Sequence, residues 1–344
     1  MTTHIDPSKL NNWLLSADIP GEGLVDEITP LPGGAQNILY TIRRADGTEL
    51  VLRRPGRHLT DLAASSFARE SKVLTGLART PVPHPRLFAS CLDETVLGAP
   101  FSILEKIDGF TPRGQLPGEY GTDPEWRSQL AFELVAGAAE LAKIDPDKIG
   151  LGDLGKREGW LERQVPRYHK MLAGYRETEG YQESPSVDRV AAWLTANQPK
   201  ASRTGVVHGD MQFANVMFRR DAPRLAAIVD WEMASLGDPL LDLAWILTAW
   251  REPGDPPGSD PQLKPWDGFP GRAELVERYA GLTGSDVTDF GWYQVLACFR
   301  LAALLEGTYV RALSGKLDRK VGEGIHAYAA WLWAKAEQEI GSPM

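Results

Sequence analysis

Near residue 107 the chain changes its apolar rhythm, and that change constrains the fold more than any other feature of the 344 residues. Before it, apolar residues alternate or cluster in short runs, as strands do; after it, they recur at three-and-four spacing, as helices do. A chain written this way folds into an α+β molecule, sheet first and helices second. ITPLPGGAQNILYTI supplies two apolar runs around a glycine turn, and RRADGTELVLRR continues through Asp46-Gly47, a dipeptide suited to a tight hairpin. DLAASSFARESKVLTGLA places Leu62, Phe67, Leu74 and Leu77 near helical spacing, and LFASCLDE and GAPFSILEKI add two further strands. The expectation is a small lobe over residues 1–106, a five-stranded antiparallel sheet with one main helix.

Residues 107–344 then form a larger, mostly helical lobe. WRSQLAFELVAGAAELAKI, REGWLERQVPRYHKMLAGYRE and VDRVAAWLTANQ carry apolar stripes, as do DVTDFGWYQVLACFRLAALLEGTYVRAL and GIHAYAAWLWAKAEQEI. VMFRR and LAAIVDW are short and apolar, and predict a hairpin embedded among the helices. Residues 252–272 hold six prolines and four glycines and predict a loop.

Composition removes several functional classes. A formal charge of −9 lacks the basic excess of a nucleic-acid binder. Cys91 and Cys298 are too few for a disulfide framework and suit a reducing compartment. MTTHIDPSKL lacks a signal-peptide pattern, and the most apolar run, PLLDLAWILTAW, is too short for a span and contains Asp242. The expectation is a cytoplasmic protein with neither a nucleic-acid nor a membrane partner.

The chemistry concentrates in VVHGDMQFANVMF and the IVDWE that follows. Asp210 and Asn215 have the D-x-x-x-x-N spacing of a phosphotransferase catalytic loop, in which the Asp receives or orients a hydroxyl proton and the Asn holds magnesium. Asp230 adds a hard carboxylate; magnesium takes oxygen ligands and completes its shell with phosphate oxygens and water. Each residue alone has a plainer reading as a turn or cap; the joint pattern of strand, H-G-D, Asn, hairpin and D-W-E is what points to function.

VHGDMQFANVMF and IVDWEMASLGDPLLDLAW resemble the two signature segments of the aminoglycoside phosphotransferase and choline kinase group, which has a two-lobed protein-kinase-like fold. LPGGAQNILY, LVLRRPG and FARESKVLTGL make the chain similar to the branch joined to acyl-CoA dehydrogenase domains. The resemblance implies an ATP-dependent, Mg²⁺-dependent kinase acting on a small-molecule hydroxyl. Asp210 would be the catalytic base, and Asn215 and Asp230 the metal ligands. Gly33, Gly34 and Asn37 in the LPGGAQN turn would cover the phosphates, Arg53 would contact them and Glu70 would orient Arg53. Main-chain groups of Leu104, Glu105 and Lys106 would read the nucleotide base. Taken alone, Gly33 and Gly34 also fit an ordinary hairpin turn, and Glu70 a solvated helix face.

The chain departs from that pattern in places. Arg53 stands where Lys is usual, Gln36 where Ser is common, and Ala142 where the family often has His. Arginine brings a planar fork that suits phosphate and carboxylate alike. Asp238 before Pro239 predicts a helix N-cap, and Asp238 and Asp242 are assigned to architecture, with bracing of the catalytic loop as their functional option.

For the acceptor, residues 281–344 carry seven acidic and six basic side chains, too balanced for a pocket built around polyamines. Trp292, Tyr293, Phe299, Tyr309, Trp331 and Trp333 form an aromatic stripe that reads first as core, with Arg300 among them. A partly apolar acceptor with an anionic end, such as a hydroxyacyl-CoA-like thioester, fits the branch resemblance better than an aminoglycoside. Two other classes stay open: a catalytically inactive nucleotide-binding regulatory module, and metal-dependent hydrolysis by His208, Asp210 and Asp230.

Overall fold

The computed structural model describes residues 5–31, 37–55, 61–200, 203–256 and 263–341. In chain order, α1 (Pro7–Leu14) precedes β1 (Val25–Leu31), β2 (Asn37–Arg44), β3 (Glu49–Pro55), α2 (Asp61–Leu77), β4 (Leu87–Cys91), α3 (Glu94–Leu97) and β5 (Phe101–Glu105). Next come β6 (Gly114–Gln115), α4 (Gly118–Thr122), α5 (Pro124–Ala142), α6 (Trp160–Tyr175), α7 (Ser186–Ala196) and β7 (Gly205–Val207). The chain continues through β8 (Val216–Phe218), β9 (Leu225–Ile228), β10 (Ser235–Gly237), α8 (Leu240–Thr248) and β11 (Leu263–Lys264). It closes with α9 (Arg272–Thr283), α10 (Phe290–Leu313) and α11 (Arg319–Gly341).

These elements sort into two compact units. One gathers residues 1–111, 147–154 and 215–234; the other gathers 112–146, 155–214 and 235–344. In the first unit, five strands pair antiparallel in the order β1-β2-β3-β5-β4, as the alternation predicts. Tyr40, Ile42, Leu50, Leu52, Phe101 and Ile103 fill one face of that sheet, together with Leu10 and Leu14 of α1. Helix α2 is the expected main helix, and an addition to it is the short helix α1 before the sheet. Its signal was present: the Asp6 carboxylate accepts the Ser8 and Lys9 amides, with Pro7 in the first turn. The embedded hairpin forms from β8 and β9, with Val216 opposite Ile228, and packs within this unit.

In the second unit, α10 is buried along much of its length against α6, α7, α8 and α11. The ammonium of Lys335 on α11 is buried and donates to the carbonyls of Leu247, Thr248 and Trp250, at 3.3, 3.1 and 3.0 Å. Leu247 and Thr248 end α8 and Trp250 follows it, so a cation there meets the negative end of the helix dipole. Residues 257–262 of the expected loop lie outside the described residues; the rest is fastened. Leu263 and Lys264 pair in parallel with Gly114 and Gln115, Trp266 stacks on Phe269 at 4.4 Å, and Asp267 pairs with buried Arg127 at 2.7 Å.

Both cysteines are free and buried, and burial pushes the Cys298 thiol up to about 12. A thiol held in its neutral form does not act as a nucleophile. Iodoacetamide in neutral buffer is therefore expected to leave Cys298 unmodified in the native chain and to alkylate it in denaturant, read by peptide mass spectrometry. Rapid native labelling would contradict the packing of α10.

Candidate active site

The sheet unit carries one group of polar residues. On β3, Leu50 and Leu52 turn toward the core, so strand alternation sends Arg53 to the opposite face from Leu52. There the Arg53 guanidinium forms a short ion pair with Glu70 of α2, and its other nitrogen reaches Asp230 Oδ1 at 3.1 Å and Glu232 Oε2 at 4.0 Å. Arg53 and Glu70 are both buried. Burial pushes the Glu70 carboxyl up to about 7 even though Arg53 opposes the shift; Asp230 and Glu232 add repulsion. Next to Glu70, the Arg69 side chain donates to the carbonyls of Leu154 and Ala234, both at 3.0 Å, tying the stretch after Asp230 to α2.

Asp230 sits just beyond β9 with φ 68, the left-handed region, and is the non-glycine residue found there among the described residues. Backbone strain of that kind costs about 1–2 kcal/mol and collects at functional sites. Asn215 ends a short 3₁₀ turn before β8, and its carbonyl accepts the Val229 amide at 2.9 Å. The hairpin thus brings Asn215 and Asp230, fifteen positions apart in sequence, to the same end of one ribbon. The Asp230 side chain is 41% exposed, open enough to take a ligand in addition to Arg53.

This donor set fits magnesium. It offers one carboxylate and one amide, all oxygen and no thiolate, and leaves coordination positions for phosphate and water. Among the described residues no three His, Cys, Asp or Glu side chains converge as a complete metal cage.

The helical unit holds the other group. β7 delivers His208-Gly209-Asp210, and Gly209 turns at φ 82, a conformation that favours glycine. The Asp242 carboxylate accepts the His208 amide at 2.7 Å and the Gly209 amide at 2.9 Å, so Asp242 braces the loop. The Asp210 amide donates to His208 Nδ1 at 3.3 Å, and His208 is fully buried. That contact makes Nδ1 an acceptor, so His208 is a shaping residue and not an open metal ligand, which removes it from the hydrolase reading.

Sequence reasoning missed two residues that hold Asp210. Trp245 Nε1 donates to Asp210 Oδ1 at 3.0 Å, and Gln212 Nε2 donates to the same oxygen at 2.7 Å. The signal was legible in DLAW, because residues three apart on a helix share a face and Asp242 and Trp245 both serve the loop. Asp238 behaves as expected, accepting the Leu240 amide at 3.0 Å, and it also takes the Arg203 amide and the Tyr293 hydroxyl.

Gly33, Gly34 and Gln36 lie outside the described residues; Asn37 opens β2 opposite Pro55. Leu104 and Glu105 pair with Val51 and Leu50, and the Glu105 amide donates to the Arg86 carbonyl at 2.9 Å. That amide is committed within the sheet unit, and the Lys106 ammonium is paired with Glu49.

Burial pushes the Asp242 carboxyl up to about 6, against the two amides it accepts. Its folded pKa therefore lies above the ordinary value near 4. The stability this contributes is fully present below pH about 4 and lost as pH rises through about 6. Between those limits and neutral pH, the wild type is expected to lose roughly 3 kcal/mol relative to Asp242→Asn, read by urea denaturation at each pH. A pH-independent difference would contradict the burial of this carboxyl.

Residues 27–277 match the model of the phosphotransferase enzyme family. Acyl-CoA dehydrogenase family member 10 of Mus musculus is 28% identical over 321 residues, 91% of this chain but 29% of that protein. The chain thus spans under a third of this curated relative. A crystal structure from Ralstonia eutropha, assigned provisionally as an aminoglycoside phosphotransferase, superposes with a TM-score of 0.81 at 28% identity, covering 97% of this chain and 99% of that one. A thermostable mutant of aminoglycoside phosphotransferase APH(4)-Ia, in ternary complex with ADP and hygromycin B, gives a TM-score of 0.62 at 18% identity over 97% and 99% of the chains, a likeness of fold alone. The fold is the kinase-like fold of the aminoglycoside phosphotransferases. By its match over most of its length, the chain belongs to the phosphotransferase enzyme family.

Proposed function

We propose that the chain transfers the γ-phosphoryl group of ATP to a hydroxyl of a small molecule, with Mg²⁺ as cofactor, in a cytoplasmic setting. The observation that carries this reading is the hairpin placing Asn215 beside Asp230 while Arg53, Glu70 and Asp230 form one ionic network. The lobes proposed for these tasks are residues 1–106 for the nucleotide and 107–344 for catalysis and the acceptor.

In this reading the acceptor hydroxyl gives its proton to the Asp210 carboxylate as its oxygen attacks the γ-phosphorus. The bond from that phosphorus to the β-bridging oxygen breaks, ADP leaves with the electron pair, and the product is a phosphate monoester. Trp245 and Gln212 hold Asp210 in one rotamer for this task, and positioning of this kind supplies much of the rate. Asn215 and Asp230 would hold Mg²⁺, which neutralises charge developing on the phosphates. Arg53 contacts the phosphates and is oriented by Glu70; Gly33, Gly34 and Asn37 cover them; main-chain groups at Leu104, Glu105 and Lys106 meet the base. For that last task the Glu105 carbonyl is the better candidate, since its amide is already used.

The name of the mouse relative turns the acceptor search toward hydroxyacyl thioesters ahead of aminoglycosides. The test is ADP release and phosphorus NMR over a panel of hydroxylated acids, hydroxyacyl thioesters and antibiotics. A phosphorylated product from any of them supports the reading. Nucleotide binding without product formation from any of them favours the second reading, an inactive nucleotide-binding regulatory module. The contact of Arg53 with Asp230 gives that second reading its support, because it places a fixed cation on the proposed metal ligand.

A further inference from the structure

Six arginines are buried among the described residues: Arg44, Arg53, Arg54, Arg127, Arg272 and Arg300. Five have an evident reason to be there. Arg53, Arg127 and Arg272 pair with carboxylates, and Arg44 and Arg54 donate to main-chain carbonyls. Arg300, on α10, differs: its Nε donates to the Tyr168 hydroxyl at 3.1 Å, yet among the described residues no carboxylate lies within ion-pair distance and its two terminal nitrogens have no hydrogen-bond partner.

Asp242 opposes the Arg300 charge through space but forms no ion pair with it; a buried guanidinium whose terminal nitrogens bond no acceptor is costly, so the open fork is expected to meet a ligand. The surroundings of Arg300 say which one. Its guanidinium carbon lies 5.2 Å from the Tyr168 ring centre and 5.6 Å from that of Trp245, so the two rings hold the fork in place. Trp245 is also the residue whose indole nitrogen donates to Asp210 at 3.0 Å. One indole therefore separates the proposed base from the uncommitted cation, and all these residues belong to the same compact unit. Arg300 is 8% exposed, and its terminal nitrogens are not among the fully enclosed unpartnered atoms, so a small ligand can reach them.

We propose that Arg300 is a specificity residue for the acceptor, and binds an oxyanion, carboxylate or phosphate, carried on the same small molecule as the hydroxyl that Asp210 activates. The proposal rests on the phosphotransferase reading for the word acceptor; the oxyanion site itself does not. A planar fork binds carboxylate or phosphate through two parallel hydrogen bonds, which a lysine cannot reproduce. The near balance of acidic and basic residues in 281–344 agrees, because a site for polycationic substrates needs an excess of carboxylates.

Two measurements on the full chain test it. In the first, arginine Nε–Hε signals of ¹⁵N-labelled protein are followed during titration with 6-hydroxyhexanoate, glycerol 3-phosphate and, as a neutral control, 1,6-hexanediol at constant ionic strength. Arg300→Lys identifies the Arg300 signal. A saturable shift of that signal with either anion and none with the diol is expected, and the stronger of the two distinguishes carboxylate from phosphate. No shift with either anion, or an equal shift with the diol, overturns the proposal whether or not the chain is a kinase. In the second, ADP release is measured with the hydroxy acid and the diol. Arg300→Met is expected to lower the ratio of their kcat/KM values by about 10- to 100-fold, with Arg300→Lys intermediate. An unchanged ratio with intact turnover overturns the role of Arg300 and leaves the phosphotransferase reading standing. Absence of turnover with every acceptor fails that reading alone, and the NMR titration still decides the oxyanion site.

Discussion

Asp210→Asn is expected to lower kcat by about 10²- to 10⁴-fold with the cognate acceptor, the usual contribution of a positioned base. The substitution keeps size and shape, and the amide oxygen can still accept from Trp245 and Gln212, so the loop stays in place. What is lost is the ability to take a proton. Because Asp210 belongs to the unit that holds Trp245 and Asp242, and the Arg53 group belongs to the other unit, nucleotide affinity is expected to stay at the wild-type level. The check is steady-state ADP release alongside calorimetric nucleotide binding. A loss smaller than about tenfold would remove Asp210 from the role of base. Trp245→Phe serves as the comparison: it removes one donor and is expected to give a smaller loss in kcat.

The second large effect is on stability. Arg53→Met is expected to destabilise the chain by about 3–5 kcal/mol, the cost of leaving one member of a buried pair uncompensated. Glu70 would then face Asp230 and Glu232 with no cation opposing its burial, and would have to take up a proton or remain an orphan charge. Adding Glu70→Leu in the same chain is expected to restore most of the loss, since replacing both partners with apolar groups removes the orphan charge. A double-mutant cycle by urea denaturation measures this coupling. If Arg53→Met cost under about 1 kcal/mol, the pair would be an interaction of the exposed-surface kind and the network would not organise Asp230. The double variant is still expected to bind nucleotide weakly, because the phosphates lose their guanidinium.

How much of this could be read from the sequence depends on the range over which each signal acts. The sheet was legible because period-two alternation is local, and Asp46-Gly47 marked its tight turn. The Arg53 and Glu70 pair was reachable too, since strand parity put Arg53 on the face opposite Leu52. Helix α1 leaves little trace in the apolar rhythm, because eight residues hold little of it, although Asp6-Pro7 marks its start. The hold of Trp245 on Asp210 spans thirty-five positions, and no periodicity reports a contact of that separation. Nor does a linear reading reveal that residues 147–154 and 215–234 pack with the sheet, which depends on tertiary packing alone. In the sequence Arg300 reads only as a charge among aromatics; that its guanidinium bonds Tyr168 and forms no ion pair among the described residues is a property of the folded chain.

The central claim, that Asp230 and its network serve a magnesium nucleotide, meets its most direct test in calorimetric titration of ATP and of GTP into the wild type and Asp230→Ala, each with and without Mg²⁺. The account predicts binding that Mg²⁺ strengthens in the wild type and that loses this dependence in the variant. Binding that is indifferent to Mg²⁺ and to Asp230, or no binding of either nucleotide, would contradict it.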